Sequence, residues 1–389
     1  MALTSFIDKI RAPFDRFIRI EASSSIVLIA CTILAFIAAN SGLASSYDHF
    51  WHEQRALSFS FAHFINDGLM AVFFFVVGLE IKRELLTGEL SSFKKASLPI
   101  FGAIGGMLVP ALIFFALNYD TPTAGGWGIP MATDIAFAVG VVSLLGKRVH
   151  PALKVFLMAL AIVDDIGAVL VIALFYTSAI DWYMLLIAFG LIGLLVGGNI
   201  RGVRSVWFYA ILGVLVWLLF LQTGVHATIA GVLVAQTVPA SNGKNFGAES
   251  PLVRFESGLH GFVAFAIMPL FALANAGVSI SGGAFASLAE PLPLGILLGL
   301  FIGKPLGITL FAWLGSKVKL ASLPSGAGWI DLFFISILGG IGFTMSLFIT
   351  NLAFTDGGVI DKAKLGVLLG SLASGIIGYL FLSRKPFKA

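Results

Sequence analysis

Charge is what this sequence has least of. Of its 389 residues only 24 are Lys or Arg and 20 are Asp or Glu, 11% in all, where soluble domains carry roughly a quarter. A soluble chain of this composition would need one enormous core, so a soluble globular reading is set aside. Cysteine is almost absent too: the single Cys31 excludes an intramolecular disulfide and leaves the redox compartment open. Two acidic motifs are also missing. No Gly-x-Gly-Asp accompanies the mid-chain aspartates, which argues against an intramembrane aspartyl protease. Asp164 and Asp165 are followed by IGAVLV with no further acid, which argues against a prenyltransferase needing spaced carboxylates for magnesium and pyrophosphate.

What the chain has instead is apolar length. Hydrophobic residues make up 58%, mean hydropathy is +1.00, and runs of about 20 apolar residues recur, each long enough to cross ~30 Å of hydrocarbon as a helix. Twelve spans are predicted, near 22–42, 60–82, 96–117, 123–145, 152–176, 183–200, 205–221, 224–238, 256–277, 294–315, 330–354 and 362–383. Alternating from a cytoplasmic N-terminus leaves 19 of the 24 basic residues inside and three outside, namely Arg55, Lys362 and Lys364, while Lys154 sits at a span end and Lys304 within a span. That asymmetry puts both termini in the cytoplasm. It also accounts for a pI near 9.1 without nucleic acid. Residues 1–21 repeat apolar positions at helical spacing between basic ones, as a helix on the anionic inner leaflet would. A signal peptide is the rival, but removing it would leave eleven spans and move the basic C-terminus outside.

In this solvent the stretch AIVDDIGAVLVIALFY stands out. Over 155–173, eleven Leu, Ile, Val and Phe residues contribute about −3 to −7 kcal/mol to insertion, and two central aspartates cost about 5 to 7. The sums nearly cancel, so Asp164 and Asp165 are read as facing a polar partner or a water-filled cavity on a functional pathway. A purely structural hydrogen-bonded pair is the alternative. Adjacent helical positions point about 100° apart, so the two carboxylates need not share neighbours. Desolvation and mutual repulsion both disfavour their double ionisation, which brings their protonation toward the physiological range.

Other irregularities fall mid-span. Asp134 in GIPMATDIAFAVG follows Pro130, which lacks an amide donor and can break the helix; the freed carbonyls and Thr133 would supply oxygen ligands. Lys304 in LFIGKPLGI has no acid in its own helix, so an aspartate of another span is its expected partner, and its depth speaks against snorkelling. LGGIGFTMS, residues 338–346, places three glycines in four positions, as either a break or a close helix crossing. Spans three to five run outward and spans ten to twelve inward, and the middle span of each triplet is the interrupted one. The pattern predicts an all-α polytopic membrane protein with inverted repeats and two discontinuous helices crossing near the midplane.

In this order, ATDIAFA, LAIVDDIGA, GVHATIAG, FALANAGV, GKPLGI and GGIGFTMS resemble the NhaA family of sodium/proton antiporters over essentially the whole chain. That resemblance implies exchange of sodium, and lithium with it, for protons across a bacterial inner membrane. The exchange would be electrogenic and pH-regulated, performed by a homodimer in the bilayer with neither cofactor nor enzymatic chemistry. It implies Asp164 and Asp165 as the sodium and proton carriers with Thr133 as a further ligand, Asp134 and Thr133 at the crossing, and Lys304 as the compensating cation. It also implies a core domain of 96–176 and 294–389 against an interface domain of 22–95 and 177–293, following the cytoplasmic segment 1–21.

At the expected cytoplasmic face, Glu80, Lys82, Arg83 and Glu84 close span two, and Glu256 with His260 opens span nine at i, i+4. They are read either as a solvated helix end or, with the family's support, as a pH-responsive cluster. The family often carries a second histidine where this chain has Ser257. His226 in TGVHATIAG matches a family motif at an external span start, where a cap or packing role competes, and Asp67 with Asn66 reads as a helix cap. A passive sodium-selective channel is the alternative function, since it too needs an oxygen-lined cavity.

Overall fold

A chain in hydrocarbon has to satisfy its backbone within each segment, and helices do so. The computed structural model describes residues 23–53, 60–177, 179–241, 250–279, 286–324 and 326–384, and the described residues form helices and turns with no strand. The amphipathic helix expected over 1–21 lies outside them. In chain order the helices are α1 (Ser23–Ala39), α2 (Ala44–His52), α3 (Phe61–Thr87), α4 (Phe93–Asn118), α5 (Ile135–Leu145), α6 (Pro151–Phe175), α7 (Trp182–Ile200), α8 (Val206–Thr223), α9 (Thr228–Thr237), α10 (Pro251–Asn275), α11 (Pro291–Lys317), α12 (Trp329–Leu338), α13 (Phe343–Ala353) and α14 (Gly357–Arg384). Counting α5 with the 3₁₀ helix Ala124–Met131 before it, nine segments among the described residues are long and apolar enough to cross a membrane. Two bent pairs add to them, α1 with α2 turning by 115° and α12 with α13 by 54°, and α9 is a shorter apolar helix of ten residues.

Local chemistry sets the ends. Ser250 accepts the Val253 amide ahead of Pro251 at the start of α10, and Asp181 accepts those of Tyr183 and Met184 at the start of α7. Ser60, not Asp67, caps α3: its hydroxyl accepts the His63 amide at 3.1 Å. Asp67 lies instead inside a π-helical turn, Phe64–Leu69, paired with His63 at 3.1 Å. Two further π turns, Val263–Ile267 and Gly299–Gly303, interrupt α10 and α11.

The described chain divides into two compact units. The first draws on the described residues within Met1–Leu34, Ser97–Asp164 and Val278–Ala389, the second on those within Ala35–Ala96 and Asp165–Gly277. In the first, α4 and α11 touch backbone to backbone: a Cβ added to Gly105 would fall on the Gly307 carbonyl, and one added to Gly307 on the Gly105 carbonyl. Lacking side chains there, the helices approach closely enough to gain dispersion contact where no hydrophobic force holds helices together. In the second unit, α3 and α9 use the same device at Gly231, whose Cβ would strike the Ala71 carbonyl, and at Gly78, 2.7 Å from the Ala235 methyl. Lys82 closes that contact by donating to the Gln236 and Val238 carbonyls at 2.6 and 2.7 Å, satisfying the C-terminal end of α9.

Candidate functional site

The site in the first unit is built from two breaks. After the 3₁₀ helix containing Pro130, the backbone is extended at Ala132 and at Asp134, and α5 starts at Ile135 because Asp134 Oδ1 accepts the Phe137 amide at 3.1 Å. Between α12 and α13 the chain passes through Gly339–Gly342, leaving carbonyls and amides without helical partners. The two breaks meet. The Asp134 amide donates to the Ile341 carbonyl at 2.6 Å and Thr133 Oγ1 reaches the Gly339 carbonyl at 2.8 Å. Asp134 Oδ2 accepts both the Thr344 amide, at 3.0 Å, and its hydroxyl. One carboxylate therefore caps two helix N-termini, α5 through one oxygen and α13 through the other, where both dipoles favour negative charge. Ser371 Oγ, from α14, accepts the amides of Gly342 and Phe343 at 3.2 and 3.1 Å.

Lys304 and Asp164 meet beside this crossing. Lys304 opens the part of α11 that follows the π turn, is fully buried, and donates through Nζ to Asp164 Oδ2 and, at 2.8 Å, to Thr133 Oγ1. Thr133 Oγ1 also stands 2.6 Å from Asp164 Oδ2. A hydroxyl has one proton, so Thr133 can donate to Asp164 or to the Gly339 carbonyl but not to both. Asp164 is 1% exposed, and its Oδ1 is buried without a hydrogen-bond partner among the described residues. Orphaned buried carboxylate oxygens are costly, and here the orphan adjoins a hydroxyl and an ammonium. Asp165, next along α6 at 5% exposure, is also buried.

The second unit holds the other candidates. Arg83 bonds through Nε to Glu256 Oε1 and through Nη1 to Glu84 Oε1, each at 2.9 Å, while His260 Nδ1 lies 3.5 Å from Glu80 Oε1. Glu256 interacts electrostatically with His260, as the i, i+4 spacing expects, and each side chain also meets an opposite charge on α3. This pair does not open its helix, which begins at Pro251. His226, in the turn ahead of α9, interacts electrostatically with Asp67, as does His63.

Sequence reasoning named Thr133, Asp134, Asp164, Asp165 and Lys304, and the first unit brings Thr133, Asp164 and Lys304 into direct contact. It passed over Thr344 and Ser371 as individuals. Thr344 had a signal, a hydroxyl two residues past a mid-span glycine cluster; Ser371, in an unbroken span, had none. Interrupted spans with a charged cluster at their crossing define a helical membrane protein whose polar chemistry is concentrated at buried backbone breaks.

Comparison with known proteins gives the family. Residues 15–382 match the family described as Na+/H+ antiporter 1, and the chain belongs to it. It is similar to the Na(+)/H(+) antiporter NhaA 2 of Pseudomonas syringae pv. syringae, 52% identical over 371 residues that cover 95% of this chain and 94% of that protein. It is also similar to the Na(+)/H(+) antiporter NhaA of Escherichia coli O1:K1 / APEC, 50% identical over 378 residues, 94% and 97% of the two chains. The Na(+)/H(+) antiporter NhaA of Flavobacterium psychrophilum is 49% identical over 374 residues, 96% of each.

Proposed function

We propose that this chain exchanges sodium for protons, with Asp164 and Asp165 as the carriers. The observation that carries the reading is the divided state of Asp164: Oδ2 is held by Lys304 and Thr133, while Oδ1 is buried and has no hydrogen-bond partner among the described residues. A hard cation favours oxygen ligands, and carboxylate, hydroxyl and backbone carbonyl oxygens gather here. Sodium taking Asp164 displaces the ammonium as counter-charge, and a proton arriving there displaces sodium. If the site reorients loaded with either but not empty, a proton gradient drives sodium out.

The finer features belong to the same proposal. Twelve spans result when α1, α9 and the pair α12 with α13 each count as one crossing, and the two interrupted spans are the middle members of inverted triplets. Residues 96–176 and 294–389 form the moving core and 22–95 with 177–293 the interface. The protein is a homodimer in a bacterial inner membrane with cytoplasmic termini, carries lithium as well as sodium, and moves more protons than sodium ions per cycle. Glu80, Arg83, Glu84, Glu256 and His260, with His226 apart from them, tune the response to pH.

The test is coupling in proteoliposomes. A sodium gradient should drive proton movement and build a membrane potential, and Asp164→Asn and Asp165→Asn should each abolish it while the protein still inserts. A passive channel would dissipate sodium without moving protons. Proton movement persisting in either variant would remove that residue as a carrier.

A further inference from the structure

An open groove of about 270 Å³ runs along the outside of the first unit between α11 and α12, lined by Leu306, Thr309, Leu310, Trp313, Trp329 and Phe333. The surface it exposes is almost wholly apolar. The Thr309 hydroxyl oxygen is shielded from the groove as from solvent and makes no hydrogen bond among the described residues. At the mouth, Lys317 folds back along α11 so that Nζ stands 4.8 Å from the centroid of the Trp313 ring. Helical side chains lean toward the N-terminus, so the ammonium sits near the level of Trp313, one turn, about 5.4 Å, beyond Thr309. Lys319 follows two residues on and is exposed, as is Lys317. The acid nearest in sequence, Asp331, is engaged at the start of α12, where its Oδ2 accepts the Gly328 amide at 3.0 Å.

Cation and apolar trough thus follow one another along a single helix. A phospholipid presents its matching groups in the same order: phosphate, then acyl chain. We propose that this groove binds one anionic phospholipid, its phosphate on Lys317 and Lys319 and an acyl chain against Leu306, Leu310 and Phe333 between the two tryptophans. Tryptophans mark the level of the membrane interface and basic residues beside it attract anionic headgroups, which places the mouth of the groove at headgroup depth. The site is separate from the ion cluster and does not depend on the transport cycle.

Native mass spectrometry of the detergent-purified full chain, offered equal phosphatidylglycerol and phosphatidylcholine of identical chains, tests it. The wild type should retain phosphatidylglycerol over phosphatidylcholine by at least about fivefold, and Lys317→Gln with Lys319→Gln should bring the ratio near one. Leu310→Trp, on a side chain half exposed to lipid, should fill the trough and abolish retention of both. A ratio near one in the wild type, or a ratio unchanged in the double lysine variant, overturns the proposal. So does Leu310→Trp splitting a dimer without loss of lipid, which would make the groove a contact between copies of the chain. Inorganic phosphate added in excess should leave the preference intact; its loss would mean a simple anion site and overturn the lipid assignment.

Discussion

Lys304 illustrates how strongly one side chain depends on another in hydrocarbon. Its ammonium has no exposure and is met by Asp164 and Thr133. Removing one member of a buried pair leaves the other charge uncompensated, so Lys304→Ala should destabilise the protein by on the order of 3–5 kcal/mol. Adding Asp164→Asn to it should cost less than the two single changes summed, since the orphaned charge is gone. Denaturant or thermal unfolding in detergent measures both, and an unchanged midpoint for Lys304→Ala would contradict the pairing. Thr133→Val keeps the volume but removes the hydroxyl that touches Asp164, Lys304 and Gly339. It should raise the sodium concentration for half-maximal exchange more than it lowers the maximal rate.

At the scale of elements the glycines separate into two kinds. Gly307 meets the Gly105 carbonyl across α4 and α11, whereas Gly193 in α7 has nothing within 4 Å of the position its Cβ would take. Gly307→Ala should therefore destabilise by about 1–3 kcal/mol through overpacking, and Gly193→Ala should be neutral or stabilise by up to about 1 kcal/mol through helix propensity. Melting temperatures moving in the same direction for both would overturn the argument. α2 is fastened differently: the Tyr47 hydroxyl donates to the Leu273 carbonyl near the end of α10 at 2.5 Å, and burial pushes this phenol up to about 12. Because the folded state holds that proton more tightly than the unfolded chain, the stabilisation is complete below pH 10 and is lost as pH rises from about 10 to 12. The melting temperature of Tyr47→Phe should fall less steeply over that window. Neither contact could be read in advance. Apolar length and glycine clusters reveal a span and its break, but which two glycines face each other is a matter of helix rotation, which the sequence pattern leaves open where helices are apolar all round.

For the whole molecule the governing quantity is occupancy. A ligand that binds only the folded state at one hundred times its Kd adds about 2.7 kcal/mol of stability. Sodium should accordingly raise the melting temperature, by less at low pH where protons hold the carboxylates, and not at all in Asp164→Asn. Legibility at this scale is uneven. The helical class and the two interruptions were plain from composition, Pro130 and residues 339–342, whereas partner choice in the second unit was not, because Glu256 and His260 also reach charges on another helix. The doubled cap at Asp134 has a mechanical consequence. Two half-helices far apart in the chain hang from the two oxygens of one carboxylate, as two ropes hang from one hook. Pulled apart by an atomic-force tip, α5 and α13 should let go in a single rupture, and in Asp134→Ala, with the hook removed, in two.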